Sequence, residues 1–314
     1  MTVSGLEACS LPESDDQNLI DAEEVVGTMA TPQPPTTVYI AGPMFSVGDK
    51  SEQSALAAAL QAAGFVCYVP QNNGIEVAAV MQLLNDPSLQ EGTMLEPPVL
   101  DRCMAWVTRA VVALDVYQTI EACQCTVLNL DGRVPDEGSL VESALAWCAG
   151  HPVVPYKSSA ITELDGHDNP MIAALSGWTS VPSDPASVVV AVQAAVSTSR
   201  SPAPPPPPDV QKLVDLGKVI SGIRAQPPLN DTGRKAAKTT LKSLPPDQMS
   251  LLEPDASLQK MCRRVVLAII EFSKLGPGSE AAQKAIFQRE IAALRDWVAQ
   301  PGIRGVLVRS PLSF

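Results

Sequence analysis

Short β-branched runs alternate with longer Ala- and Leu-rich runs along residues 37–200. The run TVYIA at 37–41 predicts a strand, stopped by Gly42 and Pro43. Residues 51–63 predict an Ala/Leu helix, with Gly64 as its stop signal. FVCYV at 65–69 is the next strand, closed by Pro70 and a turn over 71–74. Residues 76–85 read as a helix and 86–98 as irregular chain. Residues 99–121 read as an extended helix, with Leu100, Met104, Val107, Val111 and Leu114 on its repeat. TVLNL at 126–130 predicts a buried strand that Asp131 and Gly132 break. A polar, turn-rich loop covers 133–138. Ser139 starts a helix that Gly150 ends, where a left-handed C-cap favours glycine. A strand at 152–156 follows, then a polar loop, a short helix at 170–175, an edge strand at 178–181 and an Ala/Val helix at 186–196. Strand–helix–strand repeats of this length close by right-handed parallel crossovers. The expected fold is α/β, a flavodoxin-like doubly wound parallel sheet in the order 2-1-3-4-5. Ligands bind outside the carboxyl ends of such strands.

The pattern changes at both ends. Residues 1–36 are polar and acidic, with Pro and Thr near the end, and are expected to be a disordered acidic tail. Residues 201–208 include five consecutive prolines, 204–208, and read as a stiff polyproline II linker. A ligand for a proline-recognition domain is the alternative. Beyond it, 209–224, 232–244, 256–274 and 279–299 all read as helices. The expected division is an α/β domain over 37–200 and a small all-α domain of unknown role over 209–314.

Hydrophobic residues make up 46% of the 314, but aromatics only 4%, so the core must be built mainly of Ala, Val and Leu. The net charge of −12 argues against a nucleic-acid polymer or an anionic membrane as partner, though a local anion site is compatible with it. Seven scattered cysteines fit a reducing compartment and buried apolar positions. Cys123 and Cys125 do not have zinc spacing, and His151 and His167 lack a neighbouring ligand pair, so neither a metal nor a cofactor is expected. The N-terminal stretch shows no signal-peptide pattern, and no apolar run reaches a membrane span. A cytoplasmic location is the expectation.

The loop carrying Asp131, Asp136 and Glu137 sits at the carboxyl end of a strand, with Glu142 in the helix after it. Two carboxylates flanking one pocket can break a glycosidic bond, one attacking the anomeric carbon and the other assisting the leaving group. With Ser139 starting the helix, Glu142 falls in the first turn, where the helix dipole favours its ionised form. Ser139-x-x-Glu142 is also a capping box, so Glu142 has a purely structural alternative.

VYIAGPMF at 38–45 resembles the opening strand and loop of the nucleoside 2-deoxyribosyltransferase family. DG at 131–132, DEGSLVE at 136–142 and GHPVV at 150–154 resemble that family's second motif. The resemblance covers about 37–180. It implies a flavodoxin-like enzyme that cleaves the N-glycosidic bond of a 2-deoxynucleoside and passes the deoxyribosyl group to another nucleobase through a covalent glutamyl intermediate. By motif position it implies Glu142 as nucleophile, Asp136 as the acid assisting the base, and Tyr39 beside the nucleophile. Gly42, Pro43 and Phe45 would line the pocket, and Asp131, Gly138 and Ser139 would shape it. Asn169, in NPM at 169–171, would reach the sugar site, often of a neighbouring subunit, so a homo-oligomer is implied. Family members often carry a base-contacting aspartate at the start of the strand before Asp131; that position is Gln124 here. Two other readings stay open. One is a hydrolase of deoxynucleoside 5′-monophosphates, with Ser46, Lys50 or Ser139 holding the phosphate. The other is a non-catalytic nucleotide-binding module whose helical part binds a partner protein.

Overall fold

Four strands, β1 (Thr37–Ala41), β2 (Val66–Tyr68), β3 (Cys125–Asn129) and β4 (Val153–Tyr156), form one parallel sheet in the order β2-β1-β3-β4. The computed structural model describes residues 35–84, 86, 95–131, 136–159, 169–198, 203–227, 229–275 and 279–309. The expected tail lies outside these residues except for its last two. Tyr39 stands opposite Tyr68 on one side and Thr126 on the other, which fixes the register of the central strands.

The sheet buries both faces. On one, Val38, Ile40 and Val127 pack against α1 (Val47–Ala62) through Leu56 and Leu60, and against α7 (Pro185–Ser197) through Val188 and Val192. On the other, Tyr39, Ala41 and Leu128 meet Ala146 of α5 (Glu137–Cys148) and Ile172 of α6 (Pro170–Leu175). Near-continuous apolar strands are what a doubly covered parallel sheet demands. Helix α1 starts four residues before its expected position. The Ser46 side chain accepts from Asp49 N, and Asp49 in turn accepts from Ser46 N, a complete capping box.

The edge strand expected at 178–181 does not form. Gly177 and Trp178 take successive left-handed conformations, φ 67° and 64°. This turns the chain out of strand geometry. Lys157 N–H donates to Pro182 O at 3.0 Å.

Between β2 and β3 run α2 (Pro70–Asn73), α3 (Val77–Leu84) and the long α4 (Pro97–Tyr117), which ends in a π-helical turn, Gln118–Ala122. After the prolines come α8 (Pro208–Ala225), α9 (Asp231–Lys242), α10 (Pro246–Leu252), α11 (Gln259–Ser273), α12 (Glu280–Val298) and α13 (Ile303–Arg309). These helices share their apolar core with α3 and α4: Trp106 and Leu114 are buried with Leu216, Ile220, Ile270 and Leu294. A Cβ on Gly217 of α8 would lie 1.9 Å from Ala113 O, so only glycine permits this approach of α8 to α4. The buried Glu253 carboxylate accepts from Trp106 Nε1 at 2.7 Å and pairs with Arg102 at 3.3 Å, pinning α4 to the chain after α10. One end of α4 is thus locked into the helical core, and its other end reaches the Tyr39 face of the sheet.

Among the described residues no helix is long and apolar enough to cross a membrane.

Candidate active site

The helix after β3 starts earlier than the sequence suggests. Asp136 is its N-cap: the carboxylate accepts from Ser139 N at 2.8 Å and from Ser139 Oγ at 2.6 Å. A Cβ on Gly138 would stand 3.3 Å from Asp136 Oδ2, so the glycine leaves room for that cap. Ser139 is therefore the third residue of α5, and Glu142 lies in the second turn. The Ser139–Glu142 capping box is not formed. The dipole argument for an ionised Glu142 also falls, because the field acts within the first turn.

Glu142 instead meets the sheet. Its carboxyl is pushed up to about 8, first by burial, then by the charges of Asp115 and Asp136, while the Tyr39 hydroxyl pulls it down. Tyr39 is fully buried and stacks on Tyr68, with ring centroids 5.3 Å apart and planes 20° apart. The Tyr39 hydroxyl is near enough to act on Glu142, but not aligned into a hydrogen bond of good geometry. The Tyr68 hydroxyl and Ser143 Oγ are likewise buried without a partner. Burial pushes the carboxyl of Asp115, near the end of α4, up to about 7. The same burial, with Asp115 next, raises the phenols of Tyr39 and Tyr68 well above their ordinary range.

Burial is the first cause that raises both carboxyls, and the charge of Asp115 is the next cause that raises Glu142. Two carboxyls set in this way can divide their roles, one attacking and the other donating, as glycosidic cleavage requires. Unsatisfied buried hydroxyls beside them are costly unless something completes their bonds.

Tyr39 and Asp136 are each near enough to Glu142 to act on its carboxyl. The other candidates are placed as follows. Gly42 is wedged on the α1 side, where a Cβ would meet Gln53 Nε2 at 2.7 Å and Asn129 Cβ at 2.8 Å. Pro43 offers its carbonyl to Gln53 Nε2 at 2.9 Å. Phe45 does not line a pocket in this chain; it is 87% exposed, just before α1. Asp131 also faces the α1 side, accepting from Ser158 N and Ser159 N. Gln124 sits at the amino end of β3, away from Glu142, where its Oε1 accepts from Thr37 N and its Nε2 donates to Ala122 O. Asn169 caps α6 by accepting from Met171 N at 2.9 Å. Among the described residues no three His, Cys, Asp or Glu side chains gather as metal ligands.

Asp115 and Tyr68 escaped the sequence reading. The signal for Asp115 was present: it is the lone charge in the run AVVALDVY at 110–117. A single carboxyl in an otherwise apolar helix stretch is either paired or poised.

Fold and site together define a parallel α/β protein with two half-buried, raised carboxyls beside its first strand. Residues 38–175, from β1 to the end of α6, match the family model described as nucleoside 2-deoxyribosyltransferase. That stretch contains Tyr39, Asp115, Asp136 and Glu142 and leaves α7 to α13 outside. The match supports glycosyl transfer as the class of chemistry. One solved structure, titled "Crystal structure of conserved protein from Enterococcus faecalis V583", aligns over 51% of this chain and 99% of its own, with 21% identity and a TM-score of 0.36. None of the curated proteins compared matches the chain.

Proposed function

We propose that the protein cleaves the N-glycosidic bond of a 2-deoxynucleoside and passes the deoxyribosyl group to a second nucleobase. Glu142 is the nucleophile. Its carboxylate attacks the anomeric carbon as the bond from that carbon to the base nitrogen breaks, and the electron pair leaves with the base. Asp115 donates its proton to the departing base. The second base then attacks the same carbon, the bond to Glu142 breaks and the carboxylate is restored. Asp115 takes up the proton the incoming base loses. Water in place of the second base gives hydrolysis.

The observation that carries this reading is the half-buried, raised Asp115 and Glu142 carboxyls beside the unsatisfied Tyr39 hydroxyl. With one proton between them at neutral pH, positive charge developing on the sugar favours the anion on Glu142 and leaves the proton on Asp115. With substrate bound, the Tyr39 hydroxyl turns to donate to the Glu142 carboxylate and orients it. Asp136 acts through the helix: it holds the start of α5 and adds repulsion that keeps Glu142 responsive.

Two of the three donors that a 5′-monophosphate reading needs are already engaged. Lys50 Nζ lies 2.6 Å from Glu76 and Ser139 Oγ donates to Asp136, while the Ser46 hydroxyl accepts from Asp49 N. This favours a nucleoside over its monophosphate. The test is incubation with deoxyadenosine and a second free base. Base exchange, with a preference for nucleoside over 5′-monophosphate, is the expected result. Neither exchange nor free base, with Glu142→Ala binding nucleoside as the wild type does, overturns the reading.

A further inference from the structure

Charge is divided sharply along this chain. Residues 1–208 carry 6 Lys and Arg against 24 Asp and Glu, whereas residues 209–314 carry 16 against 10. Part of the basic excess lines one place. α9, α11 and α12 enclose a cleft of about 690 Å³, with α11 in contact with both neighbours. Leu241, Met261, Leu267 and Trp297 give it an apolar floor. Four arginines line its walls and all are engaged: Arg234 and Arg289 pair with Glu271, Arg264 pairs with Glu290, and Arg263 donates to Leu241 O. Lys238 and Lys242, one turn apart on α9, and Lys260 at the start of α11 are exposed and have no carboxylate partner among the described residues.

We infer that this cleft is a docking groove for an acidic amphipathic helix of a partner protein. Its lining along α11 runs from Lys260 to Ala268, roughly 12 Å at a 1.5 Å rise per residue, a little over two helical turns. A helix laid there sets an apolar stripe on the floor and carboxylates against the three lysines, the helix-in-groove mode of recognition. A nucleic acid fits less well. Its phosphates would leave the apolar floor uncovered. The lysines steer the encounter, and the floor supplies the burial.

The test uses the full chain and a labelled synthetic 20-residue peptide, with Leu at i, i+3, i+4 and i+7 and Glu on the flanks, followed by fluorescence anisotropy at low ionic strength. Comparison probes are the same composition scrambled, polyglutamate and a single-stranded oligonucleotide. Saturable binding of the striped peptide is expected. Binding should weaken about ten-fold in the Lys238→Glu/Lys242→Glu/Lys260→Glu variant, since three exposed charge pairs are lost. Binding to the unaltered chain should also weaken as salt is raised, which tests the charges without any substitution. The scrambled peptide and polyglutamate should bind at least about ten-fold more weakly than the striped one. Absence of saturable binding overturns the inference. So does equal binding of the scrambled peptide, indifference to both the lysines and salt, or preference for the oligonucleotide. None of these readouts involves turnover, so the result stands apart from that of the proposed enzymatic reaction.

Discussion

Two carboxylate pairs flank the same sheet, one on each face, and they are built in opposite ways. On the α1 face Glu52 and Asp131 lie together, with the raised Glu52 and the lowered Asp131 sharing a hydrogen bond. Donors surround them. Asn129 Nδ2 and the Tyr156 hydroxyl reach Glu52 at 3.0 and 3.1 Å, while Ser158 N and Ser159 N reach Asp131 at 2.8 and 2.9 Å. On the Tyr39 face Asp115 and Glu142 are half-buried, both are raised, and the buried hydroxyls of Tyr39, Tyr68 and Ser143 lack partners. The first pair ties α1 to the turns after β3 and β4. The second is left unfinished, and a ligand can complete it. Acidity alone does not mark a site; raised acidity beside unsatisfied buried hydroxyls does.

The largest expected effect comes from Glu142→Gln. It removes the nucleophile and should lower kcat for base exchange by at least about 10³-fold while leaving the fold intact. The matching change on the other face, Asp131→Asn, should leave exchange within a few-fold of wild type. Comparable losses from both would erase the contrast.

Asp115→Asn should lower kcat about 10²-fold, the usual contribution of a general acid. In the wild type kcat/KM should rise through about pH 7 and fall above about pH 8, because the productive state holds one proton on the pair. In Asp115→Asn the acidic limb should move to lower pH, because a charge that raises Glu142 has gone. A flat profile between pH 6 and 9 in the wild type would remove the shared proton from the account.

Stability should separate the faces as well. The folded pKa of Glu142 is raised above its unfolded value, so its contribution is fully present below about pH 4 and is lost as pH rises towards about 8. Glu142→Gln cannot ionise, and at pH 8 it should melt several degrees above the wild type. Asp131 is lowered, so its contribution is present above about pH 4 and is lost as pH falls through its folded pKa. Asp131→Asn should cost about 1–2 kcal/mol at pH 7, since it weakens hydrogen bonds from backbone amides. Thermal melts across pH read both signs.

The smallest effect belongs to Tyr39→Phe. Losing the hydroxyl removes a donor that pulls Glu142 down, so the acidic limb of kcat/KM should shift upward and activity at pH 7 fall several-fold. Stability should hardly change, because that hydroxyl makes no well-formed bond in the empty protein.

Much of the sheet was readable because its strands are short β-branched runs bounded by Gly and Pro, and tertiary context did not override them. The nearness of Tyr39 and Asp136 to Glu142 was readable from two motifs at the carboxyl ends of neighbouring strands. The start of α5 was not. Asp136-x-x-Ser139 and Ser139-x-x-Glu142 both have capping spacing, and only the fold shows that the first one closes. The engagement of Gln124 with Thr37 N and Ala122 O was not readable, because it depends on the pairing of β3 with β1. Asp115 stayed hidden because its significance depends on a long-range contact: the apolar repeat of α4 does not say that one end joins the helical core and the other the sheet.

The most direct measurement is intact-protein and peptide mass spectrometry after rapid quenching with deoxyadenosine and no acceptor base. The expected result is a mass gain of one deoxyribosyl group, located on Glu142 and absent from Glu142→Gln. Base release with no adduct on Glu142, or an adduct that persists in Glu142→Gln, would contradict the account.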